Sequence, residues 1–315
     1  MKIKFWGVRG SIPTPVTNEK LQSKIAAIVQ RIQPHDLESQ ESREQFLADL
    51  PPYLMGTVGG NTTCIEIRLS DNTLIIFDAG SGIVELGASL RKTRERPSEI
   101  HIFFTHFHWD HIQGIPFFLP PMFDPDCTVH FYSPEKDFEQ YIRGQMQPPY
   151  FPVDFDVFQA KKFFHVLKGD EIKIRSGTIK WRKMKHPGGC YAYSVQEKDR
   201  KMIFSTDTEL TEDNFLQSEH NCDFYDDTEV MIMDSQYTLE ESIDKYGWGH
   251  SSYSLAVDFA VAWKIRKLVL FHHEPKYEDK KLSSIYKSAG WYLSHIEKPN
   301  NLSIFLGYEG LEIRV

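Results

Sequence analysis

The segment Thr105-His106-Phe107-His108-Trp109-Asp110-His111 puts three imidazoles and a carboxylate within six residues. It follows directly on Ile100-His101-Ile102-Phe103-Phe104, an apolar run of the kind that forms a buried strand. The polar residues therefore fall where a strand ends and the chain turns, and a rigid strand aims them. Imidazole and carboxylate are donors that suit zinc, iron or manganese. Alternate residues such as His106 and His108 can face one centre while Asp110 and His111 serve a second. The fold must then bring further donors from distant parts of the chain to the end of this strand.

His106-x-His108-x-Asp110-His111 resembles the defining motif of the metallo-β-lactamase superfamily of binuclear metallohydrolases. The opening Lys4-Phe5-Trp6-Gly7-Val8-Arg9-Gly10-Ser11, the turn Gly59-Gly60-Asn61-Thr62, the Phe77-Asp78-Ala79-Gly80 segment and the later histidines are similar to its phosphodiesterase-like branch. That branch lies near ribonuclease Z and the cyclic-phosphate phosphodiesterases. The resemblance implies an α/β chain folded as a four-layer αβ/βα sandwich, with residues 1–315 forming one hydrolase domain.

Three later segments supply donors at strand ends. His186 follows a strand pattern at 179–185 and precedes Pro187-Gly188-Gly189, a tight turn with room beside it for a metal. Asp207 closes Met202-Ile203-Phe204-Ser205-Thr206, and its two oxygens can bridge two cations. Leu268-Val269-Leu270-Phe271 leads into His272 and His273, both open as ligands. The resemblance assigns His186 as the third histidine, Asp207 as the bridging aspartate and His272 as the last ligand, with His273 a competitor. The set implied is His106, His108 and His186 on one metal and Asp110, His111 and His272 on the other, with Asp207 shared. Two divalent ions, zinc first and manganese or iron as alternatives, would hold a bridging water and activate it as hydroxide.

Asp78 ends an apolar strand and can accept the spare N–H of a ligand histidine. His250, in Gly247-Trp248-Gly249-His250-Ser251-Ser252, precedes a helix pattern and can contact a phosphoryl oxygen or protonate a leaving alkoxide. It resembles the His-Ser-Thr motif of ribonuclease Z-like enzymes; the competing reading is Ser251 as a helix cap with His250 merely adjacent. Asp110 and His250 are the expected catalytic residues. His35, His101, His130, His165, His220 and His295 lack such context and are expected to pack or face solvent.

Strand signals recur at 2–7, 63–69, 73–78, 100–104 and 128–132, and again at 171–175, 178–184, 191–196, 201–205, 229–233, 267–271 and 302–306, with helical patterns at 251–264 and 282–297. Residues 17–50 depart from this. Leu21, Ile25, Ile28, Val29 and Ile32 recur at helical spacing, followed after a polar break by Phe46, Leu47 and Leu50. The spacing predicts a helical-hairpin insertion that serves as a lid, a subunit contact or packing on the scaffold's side. The loop Gln147-Pro148-Pro149-Tyr150-Phe151-Pro152 either lines a substrate pocket or packs its rings onto the core.

Basic residues number 36 against 44 acidic ones, a net charge of −8, which disfavours broad binding to a phosphate backbone and makes nucleic acid an unexpected partner. The four cysteines form no CxxC pair, so neither a disulfide framework nor a zinc knot is expected. No apolar run reaches the length needed to cross a bilayer, which predicts a cytoplasmic protein away from membranes. The function the resemblance implies is a binuclear metal-dependent phosphodiesterase acting on a small or cyclic phosphodiester, such as a cyclic nucleotide, with a homodimer as a reasonable assembly. The alternatives are a ribonuclease Z-like tRNA-processing endonuclease, a lactonase or thioesterase, and a non-catalytic metal-binding sensor.

Overall fold

Runs of Ile, Val, Leu and Phe too short for a helix form most of the framework, because β-branched and aromatic side chains fit a pleated surface buried on both sides. The computed structural model describes residues 1–92, 97–297 and 300–315. In chain order its strands are β1 (Lys2–Gly7), β2 (Cys64–Arg68), β3 (Leu74–Phe77), β4 (Glu99–Phe103), β5 (Thr128–Ser133), β6 (Lys161–Val166), β7 (Glu171–Ile174), β8 (Gly177–Met184), β9 (Cys190–Glu197), β10 (Arg200–Ser205), β11 (Val230–Asp234), β12 (Lys267–Phe271), β13 (Ser303–Leu306) and β14 (Glu312–Arg314). They form two seven-stranded sheets, ordered β14-β1-β2-β3-β4-β5-β6 and β13-β12-β11-β10-β9-β8-β7.

The sheets face each other across Phe5, Ile65, Phe77, Phe103, Tyr193, Phe204, Val269 and Phe271. Phe77 stacks on Tyr193 at 5.2 Å and on Phe204 at 5.5 Å between ring centres. Burial of each such ring stabilises the fold by about 1.5–3 kcal/mol. Helix Gly82–Lys92 buries Ile83, Leu86 and Leu90 on the outer face of the first sheet. Helices Tyr253–Ala262 and Asp279–Ser294 cover the outer face of the second. The result is the expected αβ/βα sandwich.

Strand direction decides where the polar loops emerge. β3 and β4 run parallel, as do β10, β11 and β12. β9 is antiparallel to both β8 and β10, so β8 runs in the direction of β10. The carboxyl ends of β3 and β4 thus deliver Asp78 and the 105–111 loop, and those of β8, β10, β11 and β12 deliver residues 186, 207, 234 and 272. Ligands of open α/β sheets gather at such carboxyl ends.

Three differences from the sequence reading have physical causes. β6 was missed because lysines and a histidine break its apolar pattern, and β14 because it is only three residues long. Helix Gly82–Lys92 was missed where two glycines and a serine dilute its apolar stripe. The insertion does form two helices, Asn18–Val29 and Gln40–Asp49, yet neither contains a buried residue. Leu21, Ile25 and Val29 are about half exposed, so the helical spacing is real but its apolar face is not covered within the chain. Lys24 ties the first helix to the body by donating to Asp279 and to the Gly56 carbonyl.

Candidate metal centre

Four residues at this end of the sandwich, Ser11, Asp78, Asp207 and His272, have φ between 48° and 60°. Side chains other than glycine rarely adopt that left-handed region, and holding one there costs about 1–3 kcal/mol. Asp78 and His272 turn the chain directly after β3 and β12, and Asp207 and Ser11 do so within the loops that follow β10 and β1. Gly10 lies so close to His272 that a Cβ would come within 2.5 Å of its Cε1. Gly249, at φ +89°, lies against His186 in the same way.

Two donor clusters result. His106, His108, His186 and Asp207 each offer one atom within 4.8 Å of the others, and Asp110, His111 and His272 do likewise. Asp207 stands between them. Its Oδ1 lies 3.8 Å from the Nε2 atoms of His106 and His186, while its Oδ2 lies 3.2 Å from His111 Nε2 and 3.1 Å from His272 Nε2. Asp110 Oδ2 is 3.2 Å from His111 Nε2 and accepts a 2.7 Å hydrogen bond from the Ser11 backbone N–H. The structure therefore brings all seven sequence-selected donors together. His273 turns away, with Nε2 bonded to the Gly307 carbonyl at 2.8 Å.

The Nε2 atoms of His106, His111 and His272 are buried without a hydrogen-bond partner. A buried polar atom left unpaired costs about 1–3 kcal/mol, and three converging on two carboxylates make a cation pair the natural partner. These residues fit two divalent ions. Burial holds the His106, His108 and His186 side chains below the usual imidazole pKa, which favours the neutral form that ligates. Burial would also push the Asp207 carboxyl up, but His272, His111 and His106 around it hold it well below the usual range.

The surrounding shell orients these groups. Asp78, fully buried, accepts from Thr105 N and Oγ1 at 2.8 Å each and sits 2.8 Å from His111 Nδ1. The Gly249 carbonyl is 3.0 Å from His186 Nδ1. Glu209 accepts from the Gly247 and Gly249 N–H groups and binds Lys185, fixing the loop that leads to His250.

Asp234, at the end of β11, was not singled out from sequence, since an aspartate closing an apolar strand looks like any turn residue. It sits 2.7 Å from His250 Nδ1, accepts from Ser251 N at 3.1 Å and lies 3.8 Å from His272 Nδ1. Burial alone would lower the His250 pKa, but the neighbouring charges of Asp234, Asp207 and Asp110 outweigh it and push it up to about 9. One ring nitrogen of His250 lies within 4.8 Å of donors on Asp207 and His272. The helix that follows is capped by Ser252, not Ser251: its hydroxyl accepts from Leu255 N, while Ser251 Oγ donates to the Thr208 carbonyl. His250 is thus held by its own partner at the edge of the centre.

A profile of the β-lactamase superfamily domain matches residues 73–273, a span that contains every donor of both clusters. Ribonuclease Z of Thermococcus kodakarensis is 30% identical over 156 residues, 48% of this chain and 46% of that protein, so the match spans about half the length of this relative. Among solved structures, the metallo-beta-lactamase fold protein YhfI from Bacillus subtilis superposes with a TM-score of 0.64 at 15% identity, covering 99% of this chain and 98% of that one. A diphosphatase from the PhnP family gives 0.61 at 14% identity, covering 100% and 97%. Fold and profile agree: the chain belongs to the metallo-β-lactamase superfamily of hydrolases.

Proposed function

We propose that the chain hydrolyses phosphodiesters with two divalent cations, zinc before manganese or iron, residues 1–315 acting as one catalytic domain. The observation that carries this reading is Asp207, whose two oxygens face the two imidazole clusters separately. When bound, such a cation pair activates water and draws charge from phosphoryl oxygens. The protein's own residues do the rest. His106, His108 and His186 would hold one ion and Asp110, His111 and His272 the other, with Asp207 available to both. Ser11 N–H fixes the rotamer of Asp110, and Asp78 fixes the ring of His111.

His250 acts on the leaving group. With Nδ1 engaged by Asp234, its Nε2 is the nitrogen left to hold a proton for the departing oxygen. The aspartate at position 207 supports hydrolysis of a phosphodiester, a thioester or a lactone alike, the branches with which the resemblance associates it.

RNA as the phosphodiester is a second reading, favoured by the Thermococcus ribonuclease Z relative. Net charge alone had argued against nucleic acid; with such a relative that argument no longer stands. Among the described residues no helix is long and apolar enough to cross a membrane, and action in the cytoplasm is part of the proposal.

Cleavage of bis-p-nitrophenyl phosphate with and without chelator, alongside metal analysis, tests the reading. Turnover abolished by chelator and restored by zinc or manganese is the expected outcome. Metal content near zero in protein purified without chelator, or turnover indifferent to chelation, sinks it. Lactone and thioester substrates in the same panel separate carbonyl from phosphoryl chemistry.

A further inference from the structure

Two aromatic residues of the 105–111 loop belong to no donor cluster. Phe107 and Trp109 alternate with His106, His108 and Asp110 and line a cavity of about 500 Å³ together with Ile112, Tyr141, Gly144, Gln145 and Tyr150. Phe107 packs inward against Phe104 and Tyr141. The other rings are open: Trp109 is 72% exposed and Tyr150 77%. The Trp109 carbonyl accepts from Gln113 N–H at 2.8 Å, but its indole makes no hydrogen bond or ring contact among the described residues. An indole this open leaves its ring face free to stack on a ring from solution.

Gln145 supplies a second and independent observation. Its side-chain Nε2 is buried yet has no hydrogen-bond partner. Once turned toward the cavity, that amide can donate to a flat ring with acceptors along its edge, which would also cover the aromatic faces, whereas an alkyl chain offers it no acceptor. The terminal torsion of glutamine is broad, so the amide can turn to meet such an edge.

The geometry points to this cavity as a nucleobase subsite: the base of a nucleoside phosphodiester stacks on Trp109 beside Tyr141 and Tyr150, and the Gln145 amide reads its edge while the phosphate sits at the donor clusters. This rests on the phosphodiester reading above and deepens it, because Trp109 lies between His108 and Asp110 in the chain. A base anchored there holds the attached phosphate at the centre. The loop at 147–152 thereby divides its rings between the two roles open to it from sequence. Tyr150 lines the cavity, while Phe151 packs on Phe117 at 5.8 Å.

Thymidine 5′-p-nitrophenyl phosphate and methyl p-nitrophenyl phosphate share a leaving group and differ only in the base-bearing arm. With metal-loaded full-length protein the ratio of their kcat/KM values is expected to be at least about tenfold in favour of the nucleoside, the scale of one stacked base. Trp109→Leu should lower that ratio about tenfold. Gly144→Phe is the companion variant: a Cβ at Gly144 meets nothing within 4 Å, so the new ring can enter the cavity, and the ratio should fall toward one. A wild-type ratio within twofold of one, or a ratio that survives Gly144→Phe, overturns the proposal.

Calorimetry with AMP and ribose 5-phosphate reads the subsite without turnover. Tighter binding of AMP, with the difference lost in Gly144→Phe, supports the subsite even if neither ester is hydrolysed, the case in which the phosphodiester reading alone fails. Equal affinities overturn the subsite. A single-stranded oligoribonucleotide that binds more tightly than AMP, again only with Gly144 intact, assigns the base to a nucleic acid strand; binding no tighter than AMP assigns it to a free nucleotide.

Discussion

β4 holds one histidine at its midpoint and runs into three more beyond its carboxyl end, and the two groups behave oppositely. At its carboxyl end His106, His108 and His111 leave the sheet and point at two carboxylates. Midway along the strand, His101 lies in register with His130 of β5, and Tyr132 of β5 with His165 of β6. There the rings form a ladder: His101 stacks on His130 at 5.1 Å and His130 on His165 at 5.2 Å. His130 Nδ1 and His165 Nε2 share a 2.9 Å hydrogen bond, His101 Nδ1 meets the Tyr132 hydroxyl at 3.0 Å, and Glu99 Oε1 lies 3.1 Å from His130 Nε2. In the ladder His101 Nε2 alone is buried without a hydrogen bond, 3.9 Å from Glu99, whereas at the centre three Nε2 atoms converge without one. Histidines make a site when their lone pairs converge unpaired, and a stabilising cluster when they satisfy one another.

The largest break in this contrast should come from Asp207→Ala, which removes the carboxylate both clusters share. Turnover should drop by about 10³-fold or more, with a loss of bound metal measurable on the same sample, while His130→Phe in the ladder should leave metal content intact. Next is His250→Ala: its metals should stay, and kcat should fall by about 10²-fold, the scale of losing a positioned proton donor. Unchanged kcat would remove His250 from the reaction.

The ladder should respond to acid. Burial foremost, then the neighbouring His130, Arg175 and His165, lower the His101 pKa to about 4 against the pull of Glu99. Because this folded-state value lies below the unfolded one near 6.5, its contribution is fully present above pH 6.5 and is lost as pH falls toward 4. The loss amounts to roughly 3 kcal/mol at full protonation. Thermal melts of His101→Phe should therefore fall less steeply with acid across that window than those of the unaltered protein; identical slopes would refute the assignment. The smallest effect is expected from Asp78→Asn, which keeps size but weakens the hold on His111, and should cost about 10–100-fold in metal affinity by chelator competition.

Much of the centre was readable from the chain because its donors are local or end apolar runs. His106 to His111 is contiguous, and His186, Asp207 and His272 each close a strand pattern that the resemblance could align. Asp234 was not readable, since its partnership with His250 exists only once β11 lies between β10 and β12. Gln145 and Trp109 escaped for the same reason: an unpaired amide and an open indole are properties of packing, not of spacing. The hairpin shows the converse, a helical periodicity read correctly in Leu21, Ile25 and Val29 whose apolar face the chain does not cover.

The left-handed backbone at Ser11, Asp78, Asp207 and His272 sets folding and chemistry at odds within single residues. Glycine at any of these positions would relax the main chain, and at the last three it would also delete the side chain that the reaction needs. Screens for heat resistance should therefore enrich changes that blunt catalysis there, and a hardened variant that still turns over must draw its gains from elsewhere in the sandwich.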